Sequence, residues 1–137
     1  MKAIIFPGQG SQKAGMASEF ESNFKVVKDI FERVDEALKF GLSKIILSGT
    51  DDDLKKTEIT QPAILTTSFA IFSVLEKEFN FDLSKIKFVA GHSLGEYSAL
   101  VASGSLSLES AVNLVHERGK LMQAAVPEGK GAMLAVM

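Results

Sequence analysis

With 137 residues, 46% of them hydrophobic, the chain is long enough to form one domain around a sizeable core. A formal net charge of −2 leaves no basic footprint for nucleic acid, and the lack of cysteine excludes disulfides, thiolate metal sites and cysteine catalysis. The apolar run at residues 3–6 is too short for a signal peptide and no run approaches a membrane span, so a cytoplasmic protein is expected, without nucleic acid or membrane as partner.

Residues 3–6 form a short apolar run stopped by Pro7 and Gly8, which predicts a strand buried on both faces. The loop Gly8-Gln9-Gly10-Ser11-Gln12 follows. It fits neither phosphate-binding pattern: Lys13 stands where a dinucleotide loop needs its third glycine, and Met16 where a Walker loop needs lysine. The loop either turns a backbone amide toward a site or is an ordinary glycine-rich connection. Phe24, Val27, Phe31, Val34 and Leu38 recur at three- and four-residue steps, predicting a helix over 23–39 with Ser22 or Asn23 as its cap and Gly41 at its end. Residues 42–47 make a short amphipathic turn. Asp51-Asp52-Asp53 suits the start of a small helix, where carboxylates complement the dipole. Consecutive helical residues point in different directions, so the three acids are not read as a metal site.

Thr60-Gln61-Pro62 opens the next long helix, with Pro62 in its first turn, Leu65, Phe69, Phe72, Leu75 and Phe79 as its buried stripe, and Asn80 at its C-terminal end. Residues 86–90 form a second strand. Ser107 caps a last helix over 108–125 that turns Ala111, Val112, Val115 and Met122 inward, with His116, Glu117 and Arg118 upon it. Pro127 to Gly131 breaks that helix, and residues 132–137 begin a third strand. Strands alternating with helices predict an α/β domain with a parallel sheet.

Between the second strand and the helix over 95–102 lies Gly91-His92-Ser93-Leu94-Gly95. A strand that turns into a helix so abruptly strains the backbone at its apex. Gly91 and Gly95 lack the β-carbons that would collide there, and Ser93 is left projecting near a helix N-terminus, as a nucleophile elbow requires. The amide of Leu94 is placed to stabilise an oxyanion. A buried glycine-rich turn with a capping serine is the alternative reading of the same letters.

Four segments in this order, Phe6-Pro7-Gly8-Gln9-Gly10-Ser11-Gln12, Thr60-Gln61-Pro62-Ala63, Gly91-His92-Ser93-Leu94-Gly95-Glu96 and Glu117-Arg118-Gly119, closely resemble the malonyl-CoA:acyl-carrier-protein transacylase family of fatty acid synthesis. The resemblance implies an α/β-hydrolase-like large subdomain, here residues 1–130, and the start of an inserted ferredoxin-like small subdomain at 131–137. It implies that Ser93 is the nucleophile, that the backbone amides of Gln9 and Leu94 form the oxyanion hole, and that Arg118 grips the malonyl carboxylate beside Gln61, another substrate-site residue. His92, with Gly91 and Gly95, supports the elbow. Malonyl-CoA and acyl carrier protein are the implied partners, and no metal or other cofactor is needed.

A serine nucleophile needs an adjacent base. The family takes that histidine from a downstream G-H-S/A-type segment, which neither His92 nor His116 occupies. The sequence is therefore expected to be the N-terminal portion of a longer enzyme and inactive alone. The competing readings are a serine hydrolase or thioesterase, which has no use for Arg118 in its pocket, and a fragment that binds acyl-CoA or carrier protein without chemistry.

Overall fold

The computed structural model describes residues 2–126 and 129–131. Two parallel strands, β1 (Lys2–Phe6) and β2 (Ile86–Gly91), pair in register from Ala3 opposite Phe88 to Phe6 opposite Gly91. Between them run α1 (Ser18–Asn23), α2 (Lys25–Leu38), α3 (Leu42–Ser48), α4 (Asp51–Lys55) and α5 (Thr57–Lys77); after β2 come α6 (Gly95–Ala102) and α7 (Leu108–Ala125). The predicted third strand at 132–137 lies outside the described residues.

The expectation that β1 is buried on both faces is wrong. Side chains alternate across a strand, and α5 and α6 cover one face only: Phe6 packs with Phe72 and Ala99, while Ile5 is 76% and Phe88 59% exposed. The main core is helical instead. It joins Val27, Ile30, Phe31 and Val34 of α2, Leu42 and Ile46 of α3, Leu54 of α4, Leu65 and Val74 of α5, and Ala111, Val112 and Val115 of α7.

Local boundaries differ from expectation where tertiary contacts take over. Ser22 and Asn23 belong to α1 and cap nothing; Phe24 is extended between α1 and α2, its ring near those of Phe20 and Phe79. Lys39, in the left-handed region at φ 61°, ends α2 before Gly41 is reached. The aspartate run does begin a helix: Thr50 and Asp53 form a reciprocal capping box, Asp51 accepts from the Ala14 amide, and Asp52 pairs with Lys55. The three carboxylates thus diverge.

Helix α5 starts three residues before Thr60, so Pro62 falls in its second turn. Residues 60–67 are buried all round, which explains why no single stripe emerges. Leu75 and Phe79, expected inside, are 40% and 64% exposed: Leu75 lies in the last turn of α5, and Phe79 lies beyond its end at Lys77. By length and composition α5 would pass for a membrane span, contrary to the expectation that no run does; 67% of its most apolar window is buried within the protein, the character of a core helix. Ser107 caps α7 as predicted, accepting from the Ser110 amide, but Met122 is 36% exposed rather than inward.

Candidate active site

Because β1 and β2 are parallel, their C-terminal ends open on the same side, where ligands of α/β sheets bind. The chain leaving β2 closes directly onto β1. His92 donates its amide to Phe6 O at 3.2 Å, and Gly95 donates back to His92 O at 2.9 Å. A β-carbon at Gly91 would lie 1.9 Å from the carbonyl carbon of Gly95, and one at Gly95 would lie 2.4 Å from Phe6 O. Both glycines are therefore demanded by backbone contact. Ser93, between them, is held at φ 54°, a left-handed conformation costly for a non-glycine residue, and its side chain is exposed. The strand-turn-helix reading of this segment thus describes its geometry.

The Gly8–Gln12 loop lies against the elbow. A β-carbon at Gly8 would sit 2.7 Å from His92 O and 2.8 Å from His92 Nδ1, and the side chain of Gln9 donates to Thr57 Oγ1 at 3.4 Å. No hydrogen bond among the described residues uses the amide of Gln9 or of Leu94.

Arg118 arrives from α7. One arm of its guanidinium donates to Gln61 Oε1 at 2.6 Å and the other to Ser93 Oγ at 3.1 Å. Gln61 is fully buried in α5, and its amide nitrogen donates to Met122 Sδ at 3.4 Å, which fixes its oxygen toward the arginine. The guanidinium carbon also stands 5.7 Å from the ring centroid of Tyr97, within cation–π range. The neighbouring acid is engaged elsewhere: Glu117 pairs with Lys120, and that hydrogen bond holds its carboxyl below the usual range. Among the described residues no carboxylate pairs with Arg118. A guanidinium positioned by a neutral amide beside a serine hydroxyl is a site for an anion.

The histidines are placed otherwise. His116 Nδ1 is 2.8 Å from Glu58 O, and His92 lies against Gly8 with its amide tied to β1. Neither bonds to Ser93 Oγ among the described residues. Ser93, Arg118 and Gln61, named from sequence, are thus brought together; Leu94 follows Ser93 directly, and the loop that carries Gln9 lies against His92. Tyr97 and Met122 join the site without having been singled out for it; Tyr97 is the only tyrosine and lies four residues, about one helical turn, after Ser93. Among the described residues no group of three histidines or acids could hold a metal ion.

Residues 3–137 match the family model described as acyl transferase domain. The chain is similar to malonyl CoA-acyl carrier protein transacylases of Haemophilus influenzae (46% identity, 98% of this chain, 43% of the relative) and Bacillus subtilis (50%, 98% and 41%). Among solved structures it resembles an acyl carrier protein S-malonyltransferase from Vibrio cholerae (TM-score 0.86, 44% identity, 93% of this chain and 40% of that one). It is equally similar to a malonyl-transacylase solved with its type II polyketide acyl-carrier protein (TM-score 0.86, 44% identity, 93% and 40%). The chain spans about two fifths of the length of the curated relatives it matches.

Proposed function

The chain belongs to the acyl transferase domain family, and on that premise we propose that it supplies the nucleophile and the carboxylate-binding arginine of a malonyl-CoA:acyl-carrier-protein transacylase. The observation that carries this reading is Arg118, bound to Gln61 and 3.1 Å from Ser93 Oγ, with no carboxylate partner among the described residues. A serine hydrolase would have no use for such a charge. A malonyl thioester brings the missing carboxylate, whose two oxygens suit the guanidinium fork.

In the proposed reaction Ser93 Oγ attacks the thioester carbonyl and loses its proton to a base, and the C–S bond breaks as the base passes that proton to the departing sulfur of CoA. The phosphopantetheine thiol of acyl carrier protein then attacks the serine ester, and the serine recovers a proton. The amides of Leu94 and Gln9, which have no hydrogen-bond partner among the described residues, stabilise the oxyanion in both halves. Metal and redox cofactors have no part in this scheme.

The base is assigned to a histidine outside residues 1–137, since His116 is occupied with Glu58 O and His92 has no hydrogen bond to Ser93. Residues 1–130 are assigned to an α/β-hydrolase-like large subdomain and 131–137 to the start of a ferredoxin-like small one, acting in the cytoplasm in fatty acid synthesis. The test is to incubate an acyltransferase of the relatives' full length carrying this segment with malonyl-CoA and map the acylated peptide by mass spectrometry. Malonyl on Ser93, absent in Ser93→Ala, is expected; label on another residue would reject the scheme.

A further inference from the structure

Pro62 has no amide hydrogen, so the carbonyl of Glu58, one turn earlier in α5, is left without its helical hydrogen bond. His116 fills the gap, its Nδ1 2.8 Å from Glu58 O. A carbonyl only accepts, so Nδ1 carries a proton, as it can in both the neutral and the charged ring. The half-buried ring also packs against Phe40, with centroids 5.4 Å apart.

The same turn of α5 meets the α7 backbone at Gly119, where a β-carbon would lie 2.5 Å from Glu58 Cα and 2.7 Å from Thr57 O. Val115 and Gly119, both buried, mark the line along which α7 rests on α5. At about 100° per residue, His116 and Arg118 project on opposite sides of that line. A glycine contact alone lets one helix roll upon the other; a directional bond on one flank stops the roll, and so sets the other flank.

We propose that His116 is a positioning residue for substrate selection: by donating to the carbonyl that Pro62 leaves free, it fixes the rotation of α7 and so holds Arg118 at Gln61 and Ser93. A roll of about 15° at a radius of about 6 Å moves a side chain by about 1.5 Å. Misplacement on that scale at a reacting group costs up to about 10²-fold in rate. The inference rests on Arg118 being the carboxylate-binding group.

The test uses an acyltransferase of the relatives' full length carrying this segment. His116→Leu keeps the bulk and removes the donor; His116→Asn sets an amide N–H where Nδ1 stood. The ratio of kcat/KM for malonyl- over acetyl-CoA is expected to fall about tenfold in the leucine variant, mainly through KM for malonyl-CoA, and to return to within about twofold of wild type in the asparagine variant. A residue that only stabilises the fold would lower Tm and depress both substrates alike. Equal losses, an unchanged ratio in His116→Leu, or asparagine no better than leucine would overturn the proposal. Should the leucine variant not fold, His116→Gln, whose nitrogen sits one carbon too far out, takes its place with the same expectation. If wild type itself shows no preference for malonyl-CoA, the reading of Arg118 has failed, and His116 is then judged by crystal structures. The Arg118–Gln61 hydrogen bond lost without the donor and kept in His116→Asn supports positioning; the bond kept in both overturns it.

Discussion

The guanidinium of Arg118 lies 3.1 Å from the hydroxyl oxygen of Ser93, across 25 residues of sequence and two helices. The contact joins a cation with no carboxylate partner among the described residues to the residue at the apex of the strained turn. Under the proposed function, it would tie the choice of acyl group to the residue that carries it.

Arg118→Ala in an acyltransferase of the relatives' full length carrying this segment is expected to depress malonyl transfer by about 2–5 kcal/mol, the cost of leaving one charge of a desolvated pair without its partner. Acetyl-CoA has no such carboxylate, so its transfer should be nearly unchanged or improved. Kinetics with both thioesters should show the preference shifting by at least about tenfold. Equal losses would mean that Arg118 supports the fold.

Gln61 holds one arm of that guanidinium, and a hydrogen bond to a charged group contributes about 1.5–3 kcal/mol. Gln61→Leu should therefore lower kcat/KM for malonyl-CoA by roughly 10- to 100-fold. Gln61→Glu tests the electrostatics separately. It keeps the arginine in place but supplies a carboxylate that competes with the substrate, so KM for malonyl-CoA should rise further than in the leucine variant. A KM for Gln61→Glu equal to wild type would remove Arg118 from carboxylate binding.

Gly95→Ala drives a β-carbon to 2.4 Å from Phe6 O, a backbone atom that cannot swing aside. A loss of about 2–4 kcal/mol by denaturant unfolding is expected, together with loss of acylation at Ser93. Gly104→Ala is the control. Its φ of 74° imposes only the left-handed cost of about 1–2 kcal/mol, since nothing lies within 4 Å of the added carbon.

The carboxyl of Asp53 is held below its usual value by hydrogen bonds from the Thr50 backbone and side chain. A carboxylate depressed in the folded state contributes its stability above the unfolded value and loses it as pH falls through the folded one. Asp53→Asn should thus be less stable than wild type at neutral pH, with the difference shrinking below about pH 4. Thermal melts at pH 7 and pH 3 measure it, and a constant difference would refute the capping account.

The 137-residue chain alone should transfer malonyl at least about 10²–10⁴-fold more slowly than an acyltransferase of the relatives' full length carrying this segment, because neither of its histidines bonds to Ser93 among the described residues. Wild-type turnover by the purified chain would show that the base lies within it.

The sequence by itself determined the elements whose causes are local. Gly91 and Gly95 about Ser93 specify the turn because the collisions they avoid are within a few residues of it, and Ser107 specifies the start of α7 because a cap bonds its own next turn. The family segments contain Ser93, Gln61 and Arg118, and the hydrogen bonds of Arg118 join the three. Tertiary structure decided what depends on surroundings. Whether Ile5 is covered depends on what faces the sheet, and a strand's own alternation cannot say so. Pro62 sits in the second turn of α5, not the first, and the carbonyl it leaves free meets His116, 58 residues away. The role of Gly119 was equally hidden: in the helix sequence it is a weak helix former, and only the approach of Glu58 shows why no side chain fits there. Local sequence sets torsions and caps; which helix rests on which, and so where Arg118 reaches, is fixed by packing between residues that are far apart in the chain.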